Sequence, residues 1–100
     1  MKTSYQGPTM RVGGVTELNA ANAGAFRDEI RAALKPETTM VDVDLSQTGF
    51  VDSSGLGALI ALQKTMTARK GAVRIINPRP NVMQILELTR LHRVFEIAKE

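Results

Sequence analysis

Asp52, Ser53 and Ser54 stand side by side ahead of Gly55, where an alternating apolar run gives way to a helical one. The stretch from Val41 to Gly57 reads Val-Asp-Val-Asp-Leu-Ser-Gln-Thr-Gly-Phe-Val-Asp-Ser-Ser-Gly-Leu-Gly. A helix opening here carries two hydroxyls and a carboxylate at the positive end of its dipole. The residues around them are small, so a second protein can come close. A serine presented this way is a place to add or read a phosphate. It can equally be a plain helix N-cap, worth about 1 kcal/mol. Taken alone, the residues leave both roles open for Ser53. Asp52 either orients a kinase or favours the helix dipole, and Ser54 is a first-turn residue or a second acceptor.

Gly55 and Gly57 sharpen the question. Glycine in a helix interior costs about 1 kcal/mol against alanine, less near an end. Two within one turn call for a reason, either close approach of a partner or phosphate, or tight packing of helix on sheet.

Other chemistry is poorly supplied. Asp42 and Asp44 are a carboxylate pair suited to acid–base work, yet charged residues alternating with apolar ones also describe an ordinary strand face. Gly13-Gly14 lacks the Lys and spacing of a P-loop and reads as a turn. There is no cysteine and one histidine, His92. That removes disulfides and thiolate chemistry, and makes a histidine-rich metal site or a Ser-His-Asp triad hard to build. No metal and no cofactor is expected, and no catalytic residue. His92 reads as a surface or loop residue, and Met40, Met66 and Met83 as core or interface filler.

The net charge is +3, from 13 Lys and Arg against 10 Asp and Glu. These charges are spread along the chain without a basic run, and stacking aromatics are lacking, so direct nucleic-acid binding is not expected. The first residues have no apolar signal core. Ser53 to Gln63, the longest uncharged run, is too short to cross a bilayer. The expectation is a cytoplasmic protein with no membrane insertion.

One hundred residues make one domain, and 43% hydrophobic residues with four aromatics (Tyr5, Phe26, Phe50, Phe95) make its core aliphatic. Residues 1–8 read as a tail or weak edge strand ahead of a domain over 9–100. Thr9 to Val12 suits a short strand broken by Gly13-Gly14. A helix over about Ala23–Leu34, capped by Asn19 or Asn22 and ended by Pro36, has Ala23, Phe26, Ile30, Ala33 and Leu34 on its apolar side. Met40 to Leu45 alternates as a strand. Leu56, Leu59, Ile60 and Leu62 to Met66 predict a helix over about Ser54–Arg69, stopped at Gly71. Ala72 to Ile76 is a second strong strand. Asn77-Pro78-Arg79-Pro80 is a rigid turn, after which Asn81 caps a short helix facing Val82, Ile85, Leu86 and Thr89 inward. Val94 to Ile97 is a last strand. Alternation of strand and helix predicts an α/β fold, a mixed and mainly parallel sheet of four to five strands with helices packed against it.

Three segments in this order and spacing carry a resemblance. Asp44-Leu-Ser-Gln-Thr-Gly-Phe-Val-Asp-Ser-Ser-Gly-Leu-Gly57, Gly71-Ala-Val-Arg-Ile-Ile-Asn-Pro78 and Val82 to Ile97 resemble STAS domains of the anti-sigma factor antagonist family. The likeness covers about Thr9 to Ile97. It implies a small domain without catalytic activity that works by partner switching. The unphosphorylated form binds an anti-sigma factor, usually also a serine kinase, and frees a sigma factor. The kinase phosphorylates the serine after the Asp, and a phosphatase reverses it. Carried over, the phosphoacceptor is Ser53, and the partner-binding residues are Asp52, Ser53, Ser54, Gly55, Leu56, Gly57 and Asn19. The resemblance also implies an alternative, a small STAS subunit of a lipid-transport ABC ATPase. Two departures stand out. Where the family often has an acidic residue after a Gly-Glu-Leu-like triplet, this chain has Thr16-Glu17-Leu18-Asn19. The chain also ends three residues after the last expected strand, where members commonly continue into a further helix, so a less covered edge or face is expected.

Overall fold

The computed structural model describes residues 1–100. In chain order the elements are β1 (Lys2–Gln6), β2 (Thr9–Gly13), β3 (Glu17–Leu18), α1 (Ala23–Ala33), β4 (Met40–Asp44), β5 (Phe50–Val51), α2 (Ser53–Ala68), β6 (Ala72–Ile76), α3 (Pro80–Leu88), a 3₁₀ turn (Leu91–Arg93) and β7 (Glu96–Ala98). Five strands form one sheet in the order β1-β2-β4-β6-β7. All neighbours are parallel except the hairpin β1–β2. The fold is the mixed, mainly parallel α/β sheet that the alternation of elements predicts.

The order also explains the layering. Each crossover from β2 to β4, β4 to β6 and β6 to β7 steps one place in the same direction. Crossovers of one hand stepping one way lay their helices on one face. That face holds the core. Met10, Val12, Val41, Val43, Val73 and Ile75 from the strands pack with Phe26, Ile30, Leu59, Leu62, Met66, Val82 and Leu86 from the helices. Alternate residues of the same strands face the other way, the charged Arg11, Asp42, Asp44 and Arg74 among the apolar Met40, Ala72 and Ile76. There Arg74 grips Asp42 through Nε at 2.9 Å and Nη2 at 2.7 Å. Arg11 reaches Asp44 at 3.3 Å and Glu100 at 2.8 Å. Asp42 and Asp44 are thus held by arginines of the neighbouring strands, and Asp42 is 3% exposed.

Several local expectations change. The α2 terminus is a Schellman-type ending with Lys70 donating to the Thr67 carbonyl and Gly71 to that of Met66. The left-handed residue is Lys70, at φ 62°, not Gly71. Gly71 is required for space, because a Cβ there would lie 2.0 Å from the Thr39 carbonyl oxygen. Asn81 does not cap α3. Arg79 is the N-cap residue but its side chain makes no cap bond, Pro80 opens the helix, and Asn81 instead donates to Gly49 O at 2.8 Å. The segment from Val94 starts as the exit of the 3₁₀ turn, so the last strand begins at Glu96. Residues 2–6 form a full edge strand. Gly7, at φ 57°, takes the first central position of the two-residue turn that joins it to β2.

Candidate functional site

The start of α2 is fixed from three sides. β3 and β5 form a separate two-stranded parallel ladder, Glu17 beside Phe50 and Leu18 beside Val51. Leu18 and Val51 are buried in the core, while Phe50 is 52% exposed. Leading into β5, the fully buried Thr48 donates its hydroxyl to Val15 O at 2.5 Å, and Gly49 N donates to Thr16 O at 2.9 Å. Arg79 Nε donates to Ser46 O at 2.9 Å. Neither two-residue strand has a sequence signal, since two residues cannot show a period.

Asp52 follows directly and is the N-cap of α2, with extended backbone. Its Oδ1 accepts from Gly55 N at 3.0 Å and its Oδ2 from Ala20 N at 3.1 Å. Its own amide donates to Leu18 O at 3.1 Å. One carboxylate therefore caps the helix and clasps the β3–α1 loop to it. This corrects the alternative in which Ser53 is the cap. Ser53 is the first helical residue, with no side-chain hydrogen bond in the cap. Ser53 and Ser54 are both exposed.

The two glycines have different reasons. A Cβ on Gly55 would meet Leu18 O at 2.4 Å and Val51 Cγ1 at 2.9 Å, so this buried glycine lets α2 lie against β3 and β5. Gly57 is exposed with nothing within 4 Å of the Cβ position. Nothing inside the molecule demands it. Leu56 and Ile60 lie beside it, each half-buried.

Asn19 stands in the clasped loop, half-buried. Its Oδ1 accepts from Ala21 N at 2.9 Å, and its amide donates to Asn22 Oδ1 at 2.8 Å. The loop is thus locked by the two asparagines. Asn22 spends its side chain there and makes no cap bond to α1. Around the clasp, Ala20, Ala21, Gly24 and Ala25 are exposed and small. Asp52, Ser53, Ser54, Leu56, Gly57 and Asn19 therefore share one smooth end of the molecule, with Gly55 beneath it.

The surface there is open. None of the three clefts of the molecule is lined by residues 52–57. The largest, about 740 Å³, lies between β1, β2 and the end of β4, and Val12 is its one apolar residue. On its wall, burial pushes the Asp44 carboxyl up, but the Ser46 amide and hydroxyl and the Arg11 guanidinium outweigh this and hold it below the usual carboxylate range. No three His, Cys, Asp or Glu side chains converge on a point that would hold a metal. No helix is long and apolar enough to cross a membrane.

A one-sided, mainly parallel sheet with an Asp-capped helix rising beside a short β3–β5 ladder defines a small α/β class. The chain matches the family model described as "Mlab, STAS domain" over residues 2–97 and belongs to the STAS domain family. In sequence it is 22% identical over 81 residues to the anti-sigma-B factor antagonist of Listeria monocytogenes, covering 81% of this chain and 71% of that one. The Thermotoga maritima protein TM1081 has the same fold, with TM-score 0.90 and 21% identity over 99% of this chain and 86% of that one. So does SpoIIAA of Bacillus, an anti-sigma factor antagonist, in its unphosphorylated form, with TM-score 0.83 and 21% identity over 99% of this chain and 88% of that one.

Proposed function

We propose that this chain is an anti-sigma factor antagonist that acts by partner switching, a regulatory binding protein and not an enzyme. The unphosphorylated form binds an anti-sigma factor that is also a serine kinase, and so releases a sigma factor. Phosphorylation of Ser53 blocks binding, and a phosphatase restores it. The cytoplasm is where such partners meet.

The observation that carries this reading is the placement of Ser53. It is exposed as the first residue of α2, while its neighbour Asp52 holds the cap. The hydroxyl is therefore free of the structural task that a serine commonly has at this point. A kinase can take it without dismantling the helix start. The surface is open and smooth, which suits a protein surface better than a small molecule, whose sites are concave and mostly apolar. Leu56, Ile60 and Phe50 supply apolar contact beside it. The names of the sequence relatives point the same way.

A phosphate at Ser53 adds about −1.5 to −2 charges at pH 7. In a packed interface that anion must be desolvated or repelled, which costs several kcal/mol when unpaired. The test starts with a pull-down by the unphosphorylated protein and mass spectrometry of the partner and of the Asp52–Gly57 peptide. Calorimetry then compares wild type, Ser53→Ala, Ser53→Asp and phosphoprotein. Wild type and Ser53→Ala bind equally, Ser53→Asp binds weakly, and the phosphoprotein binds least. A subunit docked permanently on a lipid-transport ATPase instead binds with one affinity in all four forms, and that result rejects the switch.

A further inference from the structure

The two edges of the main sheet differ. β7 is three residues long and begins with Glu96. β1 is five residues, Lys-Thr-Ser-Tyr-Gln, each of them exposed, with one charge, no proline and no bulge. Short strands, charges and prolines are the usual protections of an edge, and β1 has almost none of them.

Its outward groups follow from the hairpin. Gln6 and Thr9 close a two-residue turn, so they form a hydrogen-bonded pair, and the pattern then alternates. Gln6, Ser4 and Lys2 direct their amides to β2. Thr3 and Tyr5 direct theirs away from the sheet.

We propose that β1 is a self-association edge, on which a second copy of this chain pairs antiparallel about a two-fold axis through Ser4. In this register Thr3 and Tyr5 of each copy exchange their outward backbone bonds, which satisfies both free amides of each strand. Side chains agree with it on both faces. Tyr5 comes opposite Thr3 of the other copy, an aromatic against a β-branched residue, which is a favourable cross-strand pair. On the polar face Lys2 comes opposite Gln6, and Ser4 opposite Ser4. The one charge of the strand never meets its own copy. The two five-stranded sheets become one of ten strands. The Tyr5 hydroxyl, which donates to Ala33 O at 2.6 Å, already fixes the edge strand to the end of α1. An edge contact of this size buries less than about 1,200 Å², so the dimer is a weak, reversible one.

Ser4 against Ser4 is a non-hydrogen-bonded pair, with Cα atoms about 4.5 Å apart. That lies within the range a disulfide spans, and the chain has no cysteine of its own. Ser4→Cys therefore reports the axis directly. Under mild oxidation it crosslinks to twice the 10.9 kDa protomer about tenfold faster than an exposed control, Thr67→Cys, because pre-association raises the local thiol concentration. Adding Thr3→Pro, tolerated at an outward edge position, abolishes that advantage while far-UV circular dichroism stays unchanged. Sedimentation of the wild type shows mass rising with concentration, and Ser4→Lys, which sets like charges opposite each other, stays monomeric with an unchanged melting curve. Equal crosslinking of Ser4→Cys and Thr67→Cys, or a wild type monomeric up to about 1 mM, where even a millimolar contact is half formed, overturns the proposal. So does a dimer that survives both Thr3→Pro and Ser4→Lys.

Discussion

Asp52 and Ala20 are 32 residues apart in the chain, and the Asp52 carboxylate accepts the Ala20 amide at 3.1 Å. The other oxygen of the same carboxylate accepts from Gly55. The helix start and the β3–α1 loop are therefore one unit, joined by a single side chain.

Removing that side chain loses both bonds. Asp52→Ala costs about 1–2 kcal/mol, the range of a lost N-cap, measured by urea unfolding. Asp52→Asn keeps one acceptor oxygen for the helix but turns an NH₂ towards a donor. It recovers about half of the loss. Hydrogen exchange at Ala20 rises in both variants.

Gly55→Ala and Gly57→Ala act in opposite directions. The first drives a methyl into Leu18 O and costs about 1–3 kcal/mol by overpacking. The second meets open space and stabilises by up to about 1 kcal/mol. If Gly57 is where the partner comes close, Gly57→Ala also weakens partner binding, so stability rises while affinity falls. Melting curves and calorimetry on the same samples separate the two.

Lys70→Gly relieves a side chain held at φ 62°, a conformation that glycine adopts freely. The variant gains about 0.5–1 kcal/mol. Gly71→Ala, one residue on, loses stability because Thr39 O occupies the Cβ position.

The Asp44 carboxyl is held below its ordinary value of 3.8 in the folded protein. A depressed carboxyl stabilises the fold above the unfolded value, and that contribution fades as pH falls through the lower folded value. Asp44→Asn is therefore less stable than wild type at pH 7. The gap begins to narrow below about pH 4, the unfolded value, and keeps shrinking as pH falls further. Urea titrations at pH 7 and at pH 2.5 check it.

Phosphate on Ser53 changes stability little. The helix dipole favours the anion by about 0.3–1 kcal/mol, and the neighbouring Asp52 carboxylate opposes it. The melting temperature of the phosphoprotein stays within a few degrees of wild type, a shift of about 0.5 kcal/mol.

The strands β4 and β6 and the helix α2 were legible because five and sixteen residues are enough to show a period. Glu17–Leu18 and Phe50–Val51 were not, because their pairing spans the chain and involves two residues each. Asp52 and Ser53 are both good caps. What decides between them is the anchor of the Asp52 amide on Leu18 O, a contact made by distant chain. The reason for Gly55 lay in the same contact. Pro80 is a helix start that the sequence does signal, since proline favours the first helical position over an Asn81 cap. The small, exposed setting of Ser53 was legible from its motif, whereas the clasp to Ala20 was not.

Asp42 and Arg74 are register partners on β4 and β6. A strand that slips by one residue turns its apolar side chains to the wrong face, an error the core rejects by itself. A slip by two keeps every face correct and is the error a buried sheet detects least. Here such a slip would set Asp42 beside Ala72 or Ile76. A nearly buried carboxylate would then lose its guanidinium, which is strongly destabilising. The ion pair on the polar face thus proofreads the alignment of the two central strands, and with it the position from which α2 departs.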